Sequence, residues 1–106
     1  MEAYVVRFTS MRKVEAWIAA GVPIVFSLAW QPGSLSGAPI PSSDGHLAVL
    51  VGFDAAGSPI VNDPAAATDD AVRRLYDRVE LESLWLEYSG GTVYLIYPPG
   101  HPIPEL

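Results

Sequence analysis

Hydrophobic and polar positions change period several times along the chain, and each change marks an element. Ala3 to Phe8 alternates weakly and predicts a short strand. Thr9 or Ser10 can cap a helix whose apolar positions are Met11, Val14, Trp17 and Ile18. Gly21 stands where a helix ends in a left-handed residue. Val22 to Trp30 is apolar on both faces apart from Ser27 and carries β-branched residues, which predicts a central strand with Pro23 at its start. From Gln31 to Asp44 the periodicity gives way to Gly, Pro and Ser, a loop of about fourteen residues that is long enough to suggest function or a covering partner.

His46 to Phe53 reads as the next strand, Asp54 to Gly57 as a turn and Pro59 to Asn62 as the returning strand of a hairpin. Pro64 to Asp70 is small and polar, and Val72 to Tyr76 fits a short strand. Asp77 occupies an N-cap position, after which Leu81, Leu84, Trp85 and Tyr88 follow at i, i+3, i+4 and i+7 on one face of a helix that ends near Gly90. Thr92 to Tyr97 predicts a last strand. The segment PPGHPIPEL, residues 98–106, is a Pro-rich tail expected to run extended over the surface or without order. Residues 1–97 therefore form one folded unit of the α+β class, an antiparallel sheet with packed helices.

Composition changes this picture mainly by exclusion. At 106 residues the chain is one domain at most, or a piece of one. Its net charge of -6 repels phosphate backbones and argues against nucleic acid as a partner. There is no cysteine, so no disulfide or thiolate metal site can form. No apolar run reaches the eighteen or so residues of a membrane span, and the first residues, MEAYVVRF, lack the pattern of a signal peptide. The compartment stays open, a secreted parent included.

Candidate chemistry gathers at the open end of the hairpin. His46 starts one strand and Asn62 and Asp63 close its neighbour, so the two ends lie side by side. A carboxylate or amide on one ring nitrogen fixes the tautomer of an imidazole and frees the other nitrogen to take a proton, as a general base requires. Which residue faces His46 depends on register. A four-residue loop with Phe53 opposite Ser58 puts Asp63 on the histidine's face; a three-residue loop with Asp54 opposite Ser58 puts Asn62 there. Both remain open from the turn residues alone.

Other clusters carry less. Ser42 and Ser43 read as turn formers rather than nucleophiles. A metal set of Asp44, His46, Asp63 and His101 would need the tail to fold back, and no ligand-type spacing supports it, so no metal or cofactor is expected. Asp69 with Asp70 and Glu80 with Glu82 read as solvated faces. Trp17, Trp85, Tyr76, Tyr88 and Tyr94 sit at core spacing, with packing as their default role.

Taken together, Tyr4-x-x-Arg-Phe, GVPIVFSLAW, SSDGHLAVLVGF, PIVNDPAA, VRRLYDR and GGTVYLIYP resemble the C-terminal half of a C39-like, papain-type cysteine peptidase. Gly45-His46-Leu47 and Asn62-Asp63-Pro64 are the most specific parts. The resemblance implies a Cys-His-Asp site hydrolysing peptide bonds, with His46 as general base and Asp63 orienting it, and Asn62 as the runner-up for that role. Residues 1–97 then correspond to the C-terminal part of such a domain. It also implies a nucleophilic cysteine at the start of a helix in an N-terminal half, with a glutamine before it. Neither is present: the chain has no Cys, and its only glutamine, Gln31, follows the central strand. The expected partners are a peptide or protein substrate and a missing Cys-bearing half, with self-association through the face that half would cover. The alternative is a non-catalytic domain of the same ancestry that binds a peptide or protein by its cleft face or the 31–44 loop.

Overall fold

The structure, a computed structural model, describes residues 2–66, 68 and 72–104. The elements run β1 (Glu2–Arg7), α1 (Met11–Ala19), β2 (Ile24–Trp30), β3 (Ser43–Phe53), β4 (Pro59–Asn62), β5 (Arg73–Leu75), α2 (Arg78–Ser89) and β6 (Thr92–Tyr97). The strands form one six-stranded sheet in the order β1-β6-β2-β3-β4-β5, antiparallel throughout. The fold is therefore the α+β architecture that the pattern of periods implies.

The sheet is two-faced because alternation holds along nearly every strand. Ile24, Phe26, Leu28 and Trp30 of β2 and Ala48 and Leu50 of β3 point to one side, where both helices pack. Met11 and Val14 of α1 and Trp85 of α2 meet Ile24, Phe26 and Leu50 there. On the other side Val5, Leu47, Leu75 and Ile96 stay exposed.

The helix ends are tied across the fold. Ser10 is the N-cap of α1 but makes no side-chain cap; the Met11 amide donates instead to Glu82 Oε2 of α2, at 2.5 Å. Asp77 caps α2 as its sequence position predicts, accepting from the Glu80 amide. At the far end Gly90 and Gly91 both take positive φ. A side chain at Gly91 would stand 1.9 Å from the Phe8 carbonyl, so only glycine allows the backbone approach in which the Phe8 amide donates to the Gly91 carbonyl.

Several elements differ from the sequence pattern. β3 starts at Ser43, three residues early, because pairing with Trp30 carries the ladder past a register shift opposite Ala29. β2 begins after Pro23, which has no amide to donate. Tyr88 is about half exposed rather than core, since the last turns of α2 run beside β2 where β6 no longer pairs. Glu80 and Glu82 are not a merely solvated face: Glu80 receives the Ser36 amide and hydroxyl and pins the 31–42 loop, while Glu82 caps α1. The tail folds back as far as His101, whose Nε2 lies 2.6 Å from the Ala20 carbonyl at the end of α1. Asp69 and Asp70 lie outside the described residues.

Candidate active site

The turn between β3 and β4 is a three-residue loop. The Asp54 amide donates to the Ser58 carbonyl, Asp54 Oδ1 accepts from the Ala56 and Ser58 amides, and Gly57 sits at φ 86°. Alternation carried back from this turn would bring Asn62, not Asp63, to the histidine's face. It does not, because the ladder pairs Gly52 with Ile60 but Leu50 with Val61. Val51 is the extra residue of a β-bulge, and one unpaired residue exchanges the faces of everything beyond it. Asp63 thus lands beside His46. Asn62, paired with Val49 and Arg73, belongs to the opposite face.

The contact is short. His46 Nε2 lies 2.6 Å from Asp63 Oδ1, with side-chain exposures of 13% for the histidine and 1% for the aspartate. Three donors converge on the carboxylate: the His46 ring and the Ala65 amide (3.0 Å) on Oδ1, and the Tyr76 hydroxyl (2.6 Å) on Oδ2. A buried carboxylate so surrounded acts only as acceptor, which assigns the ring proton to Nε2 and leaves the Nδ1 lone pair for another donor. Nδ1 makes no hydrogen bond among the described residues and is not sealed from solvent. The Trp30 indole stands edge-on to the His46 ring, centroids 5.2 Å apart, and is itself anchored by Nε1 donating to the Ile40 carbonyl. The ring is thereby held on one side by Asp63 and on another by Trp30.

The backbone around Asp63 is equally fixed. Its amide donates to the Val72 carbonyl at 2.8 Å, and the Tyr76 amide donates to the Pro59 carbonyl at 3.1 Å, so β4 and β5 bracket the aspartate. Burial pushes the Tyr76 phenol far above its ordinary pKa, and the hydrogen bond to Asp63 and that residue's negative charge push it the same way. Tyr76 and Trp30 are the residues of this cluster that the sequence does not single out: Tyr76 reads as packing and Trp30 only as the end of the central strand. Their signal was weak: Tyr76 directly follows a strand of three residues, too short for a period to show its direction.

The remaining candidates do not join this cluster. The Ser43 hydroxyl donates to the Gly45 carbonyl, a local turn contact, and Ser42 is exposed. Gly45, next to the histidine, lies under the Tyr88 hydroxyl, which a Cβ at that position would approach to 2.8 Å. His101 is engaged at the end of α1, and no group of three metal-ligating side chains occurs among the described residues.

The described residues thus form an α+β fold, an antiparallel sheet with helices on one face and a histidine–carboxylate pair between β3 and the end of β4. The chain belongs to the Peptidase_C39 like family, whose family model matches residues 2–93. Among solved structures it is similar to the crystal structure of a candidate C39-like peptidase from Bacillus anthracis, with 16% sequence identity and a TM-score of 0.62. That match covers 91% of this chain and 52% of the other, so the chain spans about half the length of the structure it resembles, and the likeness is one of fold. No curated protein matches it in sequence.

Proposed function

We propose that this chain supplies the base half of a C39-like cysteine peptidase site, with His46 as general base and Asp63 as the group that orients it. The observation that carries the proposal is the 2.6 Å contact between His46 Nε2 and a buried Asp63 whose carboxylate also accepts from the Ala65 amide and the Tyr76 hydroxyl. In this reading the nucleophilic thiol comes from a Cys-bearing half outside this sequence, which itself contains no cysteine. Nδ1 takes the thiol proton, and the thiolate attacks the carbonyl carbon of a peptide bond. The imidazolium then returns the proton to the leaving amine, and water, deprotonated by the same nitrogen, hydrolyses the thioester. Asp63 stays charged throughout and stabilises the imidazolium that forms in the first step.

The test is peptide hydrolysis by this chain joined to, or mixed with, the Cys-bearing half. The isolated chain is inert, because a base without its nucleophile lacks the covalent route. The assembled protein cleaves peptides, and His46→Ala lowers its rate by about a thousandfold or more. An assembled protein whose activity survives His46→Ala contradicts the proposal. So does an isolated chain that hydrolyses peptides through His46, which would turn attention to Ser42 or Ser43.

A further inference from the structure

Tyr76 is a buried hydroxyl, 2% exposed, that the chemistry just described does not use. It is also the only side chain besides His46 that holds Asp63 among the described residues. A carboxylate with one occupied oxygen can swing about its Cβ–Cγ bond and offer either oxygen to the histidine, or none. Here Oδ1 is committed to His46 and the Ala65 amide while Oδ2 is committed to Tyr76, so rotation breaks bonds at both oxygens. The tyrosine is in turn held at its own backbone, between the amide bond to Pro59 and the start of α2 capped by Asp77.

We infer that Tyr76 is a positioning residue of the site, fixing the rotation of the Asp63 carboxylate and through it the tautomer and direction of the His46 ring. The inference rests on the base-half reading for its catalytic meaning, though not for its geometry. The raised phenol fits this role: a hydroxyl that stays protonated is a permanent donor and does not turn into a second anion beside Asp63. Its effect differs from that of Trp30, which braces the ring from the side and cannot select which nitrogen carries the proton.

Removing only the hydroxyl, by Tyr76→Phe, separates positioning from packing because the ring stays. The primary readout is nitrogen-15 and proton NMR of the His46 imidazole at about pH 8, where an imidazole is neutral. In the wild-type chain one tautomer is observed, with the proton on Nε2 and slow in exchange with water. In Tyr76→Phe the Nε2 proton exchanges at least about tenfold faster, the size expected for losing a hydrogen bond to a charged group, and the second tautomer becomes visible. Val14→Ala, a core truncation in α1 away from the site, serves as the control matched for lost stability. It leaves the His46 signals as in wild type.

Unchanged tautomer and exchange in Tyr76→Phe overturn the inference, as do equal changes in Tyr76→Phe and Val14→Ala. Hydrolysis by the assembled enzyme is the second readout. Tyr76→Phe lowers kcat by about tenfold with KM nearly unchanged, since the hydroxyl touches no substrate. Assembled wild-type protein that cleaves nothing overturns the base-half reading, while the NMR result still decides the role of Tyr76.

Discussion

The two ends of the sheet are held together by different physics. At the β1–β6 end the contacts are aromatic and steric: Tyr4 stacks on Tyr97, Trp17 packs against Tyr97 and Phe8, and the backbone at Gly91 closes on Phe8. At the β3–β4–β5 end the contacts are polar and directional, with Asp63 receiving three hydrogen bonds and the Tyr76 and Asp63 backbones cross-tied. The first end tolerates side-chain adjustment but no change in backbone approach. The second tolerates neither the loss of one polar partner nor a slip of one residue. A packing end suits stability; an end built on register and hydrogen bonds suits a site whose atoms must point one way.

Substitutions should break the two ends in distinguishable ways. The largest effect falls at the packed end: Gly91→Ala forces a Cβ into the Phe8 carbonyl in a left-handed conformation, and costs more than about 4 kcal/mol in denaturant unfolding. In molecules that remain folded, the His46 signals should be unmoved. Next comes Asp63→Ala, which leaves the Tyr76 hydroxyl and the Ala65 amide without their acceptor in a buried place and costs about 2–4 kcal/mol. Asn62→Ala, one residue away but on the other face, costs less than about 1 kcal/mol and leaves His46 unchanged. Equal costs for the two would remove the distinction that the Val51 bulge makes.

That bulge also marks the limit of what the sequence discloses. Hydrophobic period was enough for both helices, the central strand and the hairpin, because each spans enough residues for the pattern to repeat: Met11, Val14 and Trp17 are all buried on one face of α1. Proximity of His46 to the Asn62–Asp63 pair followed from the hairpin itself. Their facing did not, since Val51 resembles its neighbours and Gly52 beside it, though a residue that can mark a bulge, does not by itself fix the register. The turn in fact closes in the way that, without the bulge, would favour Asn62. Tyr76 and Glu82 were invisible for a related reason: each acts on an element distant in sequence, Asp63 across a strand pair and α1 across the core.

Smaller effects sharpen the contrast. Because the Tyr76 phenol titrates far higher in the folded chain than its ordinary value of about 10 in the unfolded one, its contribution is fully present below about pH 10 and declines above it. Stability should fall in that range by up to about 1.4 kcal/mol per pH unit on account of this group, and Tyr76→Phe should flatten the decline by that amount. Denaturant unfolding at several alkaline pH values measures it. Least of all is the ion pair of Arg78 with Glu15, whose side chains are 34% and 45% exposed. Glu15→Gln should change stability by no more than about 0.5 kcal/mol, and less in high salt.

The most direct test of the base-half account is the rate at which iodoacetamide alkylates the thiol of the assembled, Cys-bearing protein near neutral pH. This reads proton removal by His46 without requiring a known substrate. The account predicts rapid alkylation in the wild type, a fall of about tenfold or more in His46→Ala, a smaller but clear fall in Asp63→Ala, and none in Asn62→Ala. A thiol that reacts at the same rate in wild type and His46→Ala would contradict it.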